Sequence, residues 1–437
     1  MTDNKEALLG EGEGKGRMDL SGQMLDELSI CCWNYRCKPF AKPDTARELV
    51  NYIGDLLDRH PDTLFAWAVA GFHLQDLPVD ARAVFFCLCE LFLARPLVPV
   101  SDAFFESDDS HAAFFPGIEV LLRQRLAISV AVNNPSDSET RKDRYLLSPY
   151  ACGLLFKGRE DLISPSVTAC FGTVIPWKDI PKKELVFPER ARDLLRLVSM
   201  AVSRERFDRI SDELEANGFR SGITVLLSGP PGTGKTEFVR QLGREEHRDV
   251  FIVDAAKIDA SYFGEKPRNI RDLFRLLRYM SAISLNVPIV FIDEADGLLG
   301  RRVETRSASD REDNTSVNIL LEELNSFDGI LFAATNNPDN IDRAMDRRFL
   351  LKVTLPVPDT DVRAEIWKSK LPFLSLTEAR TLAERYPLSG GLVDNVASLC
   401  LLEKIVYGRP PTLERVIRNC ERQGGEAVKV VRKIGFN

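Results

Sequence analysis

The hydrophobic pattern changes character twice along this 437-residue chain. From Asp19 to about Gly158 apolar positions recur mainly at helical spacing. Val84, Leu88, Leu91 and Phe92 share one helix face, and Pro96 and Pro99 predict where that helix ends. A second helical stretch, GIEVLLRQRL, is followed by the β-like SVAV, the polar loop NNPSDSETRKD and the short apolar run RYLL. Helix, strand, polar loop and strand form the outline of a winged helix, and a helical domain carrying one hairpin fits the same pattern. Residues 159–190 carry Pro165, Pro176, Pro181 and Pro188 and read as an extended linker. Beyond it the runs TVLLS, VFIVD, PIVFID, ILFAAT and LLKVTL alternate with amphipathic helices. Ile270, Leu273, Phe274 and Leu277 line one such helix, and Val317, Leu320, Leu321 and Leu324 another. Short continuous apolar strands separated by helices predict an α/β fold, a parallel sheet covered on both faces. From about Pro358 the pattern is helical again. The expected organisation is a flexible Gly/Glu-rich tail (1–17), a mainly helical domain (18–158), a linker (159–199), an α/β core (200–357) and a small helical C-terminal piece (358–437).

Composition narrows this picture. Hydrophobic residues make up 44% and charged residues 28%, as in a soluble globular protein. The net charge of −7 argues against bulk binding to nucleic acid or anionic membrane. No apolar run is long enough to span a bilayer and the N-terminus lacks the apolar stretch of a signal peptide, so a cytoplasmic protein is expected. The nine cysteines form no paired CxxC knuckles and the four histidines are scattered, which disfavours zinc. Cys87 and Cys89, inside the apolar run AVFFCLCELFL, are expected as buried reduced thiols.

The chemistry concentrates in GPPGTGKT. Gly229, Pro230, Pro231, Gly232, Thr233, Gly234, Lys235 and Thr236 follow the strand-like ITVLLS and open the helical KTEFVRQLG, the context that a phosphate-binding loop requires. The glycines let backbone N–H groups turn inward around phosphate oxygens, with a helix N-terminus behind them. Lys235 is placed to pair with the β- and γ-phosphates of ATP, and the Thr236 hydroxyl to ligate Mg²⁺. A second segment, PIVFIDEAD, delivers Asp293 and Glu294 at the C-terminal end of an apolar strand, where open α/β sheets bind ligands. Asp293 is placed to hold Mg²⁺, and Glu294 to polarise an attacking water.

These segments, with the later AATNNPDNID, resemble the Walker A, Walker B and sensor 1 motifs of an AAA+ ATPase, and more narrowly of the AAA family proper. The resemblance covers roughly residues 200–437. It implies a P-loop NTPase core with a five-stranded parallel sheet, a helical lid, a ring of usually six subunits, and ATP-driven remodelling of a macromolecule. A bacterial-type, single-ring member with a winged-helix-like N-terminal domain is the expected variety. By the same resemblance Asn336 is the sensor 1 amide, and Arg347 and Arg348 lie in the arginine-finger region, with Arg348 favoured. Gly390 and Gly391, in LSGGLVDNV, match the lid segment near base and ribose. Asp394 stands where relatives with a sensor 2 arginine carry it, so that sensor is expected to be missing. WKDIPKKEL loosely resembles the adenine-side linker without its paired glycines.

Tyr262, Phe263 and Gly264 match the aromatic loop that faces the central pore in the family; two aromatics packing the loop down locally is the alternative. The leading expectation is an ATP-hydrolysing motor that unfolds or remodels a protein chosen by the N-terminal domain. A DNA-directed ATPase is the second, supported by Arg141, Lys142 and Arg144 in the wing-like loop and opposed by Asp137, Glu139 and Asp143 beside them. A nucleotide-dependent scaffold with negligible turnover is the third.

Overall fold

The computed structural model describes residues 23–32, 43–94, 97, 100–101, 117–130, 144–259, 265–299, 308–409 and 411–423. It divides into two compact units, Met1–Pro165 with Arg275–Leu285, and Ser166–Phe274 with Asn286–Asn437.

The first unit is built on helices α1 (Pro43–Arg59), α2 (Leu64–Gly71) and α3 (Val79–Ala94). Thr63 starts α2, its hydroxyl accepting from the Ala66 amide at 3.2 Å. Helix α3 ends before Pro96 as the sequence predicts, yet it is not amphipathic. Phe85 and Phe86 are buried together with the expected Val84, Cys87, Leu88, Cys89, Leu91 and Phe92. A helix apolar on all sides belongs at the centre of its unit rather than on a surface. Burial pushes the Cys89 thiol well above its usual range. Strands β1 (Val100–Ser101), β2 (Ala127–Val130) and β3 (Arg144–Leu147) form an antiparallel sheet in the order β1-β3-β2. The β2–β3 hairpin is the one the apolar runs suggested, and β1 adds a third strand that two residues could not signal. Helix α4 (Pro149–Leu155) follows at once, capped by the Ser148 hydroxyl. The Tyr279 hydroxyl donates to the Leu147 carbonyl, and its ring stacks on Phe92 at 5.5 Å.

The second unit carries a six-stranded sheet in the order β4-β6-β7-β8-β5-β9. Its strands are β4 (Gly172–Ile175), β5 (Ile223–Ser228), β6 (Val250–Val253), β7 (Ile289–Ile292), β8 (Ile330–Thr335) and β9 (Leu351–Thr354). Five are parallel, as the apolar runs predict, and every residue of β5, β7 and β8 is buried. The sixth corrects the linker reading in part. Strand β4 pairs antiparallel with β6 at the sheet edge, although it lies in the proline-rich stretch. Pro176 follows its last residue, a position an edge strand tolerates.

The same unit holds α5 (Glu189–Ala201), α6 (Phe207–Ala216), α7 (Lys235–Glu245) and α9 (Ala308–Asn325), while α8 (Glu265–Ile283) has its residues up to Phe274 in this unit and the rest in the first. The faces anticipated on α8 and α9 are the buried ones. Among the described residues four helices follow the sheet: α10 (Thr360–Lys370), α11 (Leu376–Arg385), α12 (Gly390–Tyr407) and α13 (Leu413–Arg422). They pack around Trp367, Tyr386, Val393 and Val396 in a core of their own. Ser375 and Glu378 form a complete capping box at the start of α11.

Candidate functional site

Strand β5 ends at the C-terminal edge of the sheet, and the chain turns through residues 229–234 into α7. Gly232 adopts φ 77°, and a Cβ there would stand 2.5 Å from the Ser389 hydroxyl. Only glycine meets both conditions. The loop is tied to itself: the Pro230 carbonyl accepts from the Thr233 hydroxyl at 2.9 Å and from Lys235 Nζ at 3.0 Å.

Lys235 is buried, and its ammonium also donates to the Gly229 carbonyl at 2.7 Å and to Asn336 Oδ1 at 2.8 Å. Burial holds it below the usual lysine range, with Asp293 and Asp296 pulling the other way. Thr236 Oγ1 donates to Asp293 Oδ2 at 2.7 Å. This places two hard oxygen donors side by side, a set that fits Mg²⁺ with water and phosphate oxygens completing its shell. Glu294 follows with φ 49°, uncommon for a residue with a long side chain, and its amide donates to Asp293 Oδ1 at 3.0 Å. Such strain persists where surrounding structure enforces it, and it collects at working sites.

The enforcing contacts come from the next strand. The Ala295 amide donates to the Ala334 carbonyl at 2.8 Å, and the Thr335 hydroxyl to Asp296. These lock the turn after β7 to the end of β8, which delivers Asn336. Asp296 is a site-shaping residue the sequence reading passed over, since one more acidic residue in DEAD carries no signal of its own.

The result is a cleft of about 450 Å³ lined by Pro231, Gly232, Thr233, Gly234, Lys235 and Thr236 together with Asp293, Glu294 and Asn336. Gly390 and Gly391 line it from the lid, and the Gly391 amide donates to the Gly232 carbonyl at 2.9 Å. The stretch Lys183–Phe187 forms a further wall, so part of the segment read as a linker belongs to the site. Its apolar Leu185-Val186-Phe187 was the available clue. Apolar walls beside a Gly-rich loop and a buried ammonium can take a planar base at one end and a phosphate chain at the other.

Arg347 and Arg348 do not line this cleft. Arg347 is exposed and Arg348 half-buried. The Arg348 carbonyl accepts from the Thr224 hydroxyl at 2.9 Å and Arg220 at 3.3 Å. Its Nε is buried with no hydrogen-bond partner among the described residues. Tyr262, Phe263 and Gly264 lie outside the described residues. Among the described residues, no group of histidine, cysteine and carboxylate side chains forms a separate metal cluster.

Residues 225–357 match the family model "ATPase family associated with various cellular activities (AAA)". The chain is 37% identical over 150 residues to a proteasome-activating nucleotidase of Methanococcus vannielii, covering 33% of this chain and 36% of that protein. It is 34% identical over 164 residues to a 26S proteasome regulatory subunit 6B homolog of Encephalitozoon cuniculi, covering 36% and 40%. A spastin of Naegleria gruberi is 32% identical over 209 residues, covering 46% and 39%. The chain thus spans less than half the length of the curated relatives it matches. Phosphate loop, acidic strand end and following amide all fall within residues 225–357, the segment that matches the AAA family model.

Proposed function

We propose that the chain is an ATP-hydrolysing motor that unfolds or remodels a protein partner, working as a homo-oligomeric ring of six in the cytoplasm. The observation that carries this reading is the convergence of Lys235, Thr236, Asp293, Glu294 and Asn336 in one cleft that also receives the lid glycines. In it Lys235 neutralises the β- and γ-phosphates, exchanging its bonds to loop carbonyls for bonds to phosphate oxygens. Thr236 and Asp293 hold Mg²⁺, which would offset charge on the transferring phosphoryl group. Glu294 accepts the proton of the attacking water, and Asn336 orients that water. Arg348 acts on the nucleotide of a neighbouring subunit, in keeping with its place outside its own cleft. Tyr262 and Phe263 grip an extended polypeptide at the ring's centre. Relatives named for activating or regulating a proteasome support a protein as the partner.

The first unit supports a second reading. Its sheet order β1-β3-β2, with a helical turn just before β2, is compatible with a winged helix, a module that can bind duplex DNA. Its basic Arg141 and Lys142 lie outside the described residues. The two readings separate in one assay. ATP turnover and loss of structure of a model protein substrate are measured with and without duplex DNA at two salt concentrations. A protein motor consumes ATP while unfolding its substrate and ignores DNA. DNA stimulation that collapses at the higher salt would replace this reading with the second.

A further inference from the structure

Among the described residues, the lid's charged contributions to the cleft are Lys370 and Asp394. Lys370 ends α10, and Asp394 lies in the second turn of α12, just past the glycines that meet the phosphate loop. Their side chains form an ion pair, Nζ to Oδ1, at 2.7 Å. Asp394 alone is the wrong charge for a site that holds polyphosphate. Paired, it can serve as an anchor. The start of α12 is fixed against the loop by the Gly391 amide on Gly232 and by Ser389 packed over Gly232. The Asp394 backbone is therefore about one helical turn from that contact, roughly 5 Å along the axis. A lysine ammonium has three donors, and one bond to a carboxylate leaves two for other acceptors. Its side chain is 24% exposed, so it is sheltered without being sealed off.

We infer that Lys370 is the lid's phosphate-binding cation, and that Asp394 is the positioning residue that holds it over the nucleotide. This rests on the ATP-site reading above. The charge that an arginine on α12 would supply comes instead from the end of α10, through an acidic residue on α12. The sequence does not signal this pair, because Lys370 lies 24 positions before Asp394 and outside the segment LSGGLVDNV that drew attention to Asp394. Coupling the phosphate cation to two lid helices also means that the lid's internal packing and nucleotide binding share one ion pair.

The competing account is that Lys370 merely neutralises Asp394. Both accounts predict weak ATP binding by Lys370→Met, because Asp394 is then left unpaired beside the phosphates. The double variant Lys370→Met/Asp394→Asn separates them. Equilibrium binding of a fluorescent ATP analogue with Mg²⁺ is measured on the full chain, with adenosine as a competitor that has no phosphates. If Lys370 contacts phosphate, the single and the double variant both lose about tenfold in ATP affinity. Lys370→Arg then keeps most of the affinity, and competition by adenosine is unchanged throughout. Recovery of wild-type ATP affinity in the double variant would overturn the inference. So would an equal loss for adenosine, or a Lys370→Met chain that unfolds, since either assigns the pair to building the lid. A wild-type chain that binds no ATP would instead refute the nucleotide-site reading itself.

Discussion

At the scale of single residues, Lys235 is the best-defined group in the cleft. Its ammonium donates to two loop carbonyls and to Asn336, and burial lowers its pKa. Lys235→Ala removes the fixed cation and should weaken ATP binding by about 100-fold or more, as expected for loss of strong charge-assisted bonds. Nucleotide titration with a melting curve on the same sample checks this, since the fold should survive. A pH dependence follows as well. Burial favours the neutral amine in the free protein, whereas bound phosphates favour the ammonium, so binding raises the Lys235 pKa. In the alkaline window between the lowered free value and the higher bound one, binding takes up a proton. Affinity must then fall as pH rises through that window. Calorimetry in two buffers of different ionisation heat measures the uptake, and its absence across the alkaline range would contradict this picture of Lys235.

The elements show why some of the fold was legible and some was not. Strands β5, β7 and β8 are buried on both faces, so they read as unbroken apolar runs. Residues 229–236 were legible because a phosphate loop needs its glycines at fixed spacing. Helix α3 was placed correctly and its Cys87 and Cys89 are buried as expected, while the one-face spacing of Val84, Leu88, Leu91 and Phe92 did not show that Phe85 and Phe86 are buried as well. Strand β4 has four residues among prolines and is specified by its pairing to β6 rather than by its own pattern. Phe187 belongs to the site because α7 brings Gly234 against it, 3.4 Å from where a Cβ would lie. Such contacts between distant segments leave no local trace. The loop carrying Tyr262 can be tested by function alone. As a grip on polypeptide, Tyr262→Ala should leave ATP binding and hydrolysis near normal while unfolding of the partner is lost. As a packed staple it should instead cost about 3–5 kcal/mol, visible as a lower Tm with impaired hydrolysis.

For the whole molecule the decisive property is assembly. Arg348 does not line its own chain's cleft, and its buried Nε has no partner among the described residues. If it completes the site of a neighbouring copy, ATP turnover per chain should rise with protein concentration and level off when rings are complete. Arg348→Ala should bind ATP and lose turnover by about 10³-fold. Sedimentation run beside the rate measurement checks both, and a rate unaffected by the change from monomer to oligomer would remove Arg348 from the reaction. Everything above depends on this cleft breaking the terminal phosphate bond of ATP with Glu294 as the base. Phosphate release by the wild-type chain and by Glu294→Gln, with ATP binding measured on the same assembled preparations, decides that point. Both proteins should bind ATP with similar affinity, and only the wild type should release phosphate steadily, the glutamine variant being slower by about 100-fold or more. Near-equal turnover by the two, or no Mg²⁺-dependent turnover by the assembled wild-type chain, would contradict it.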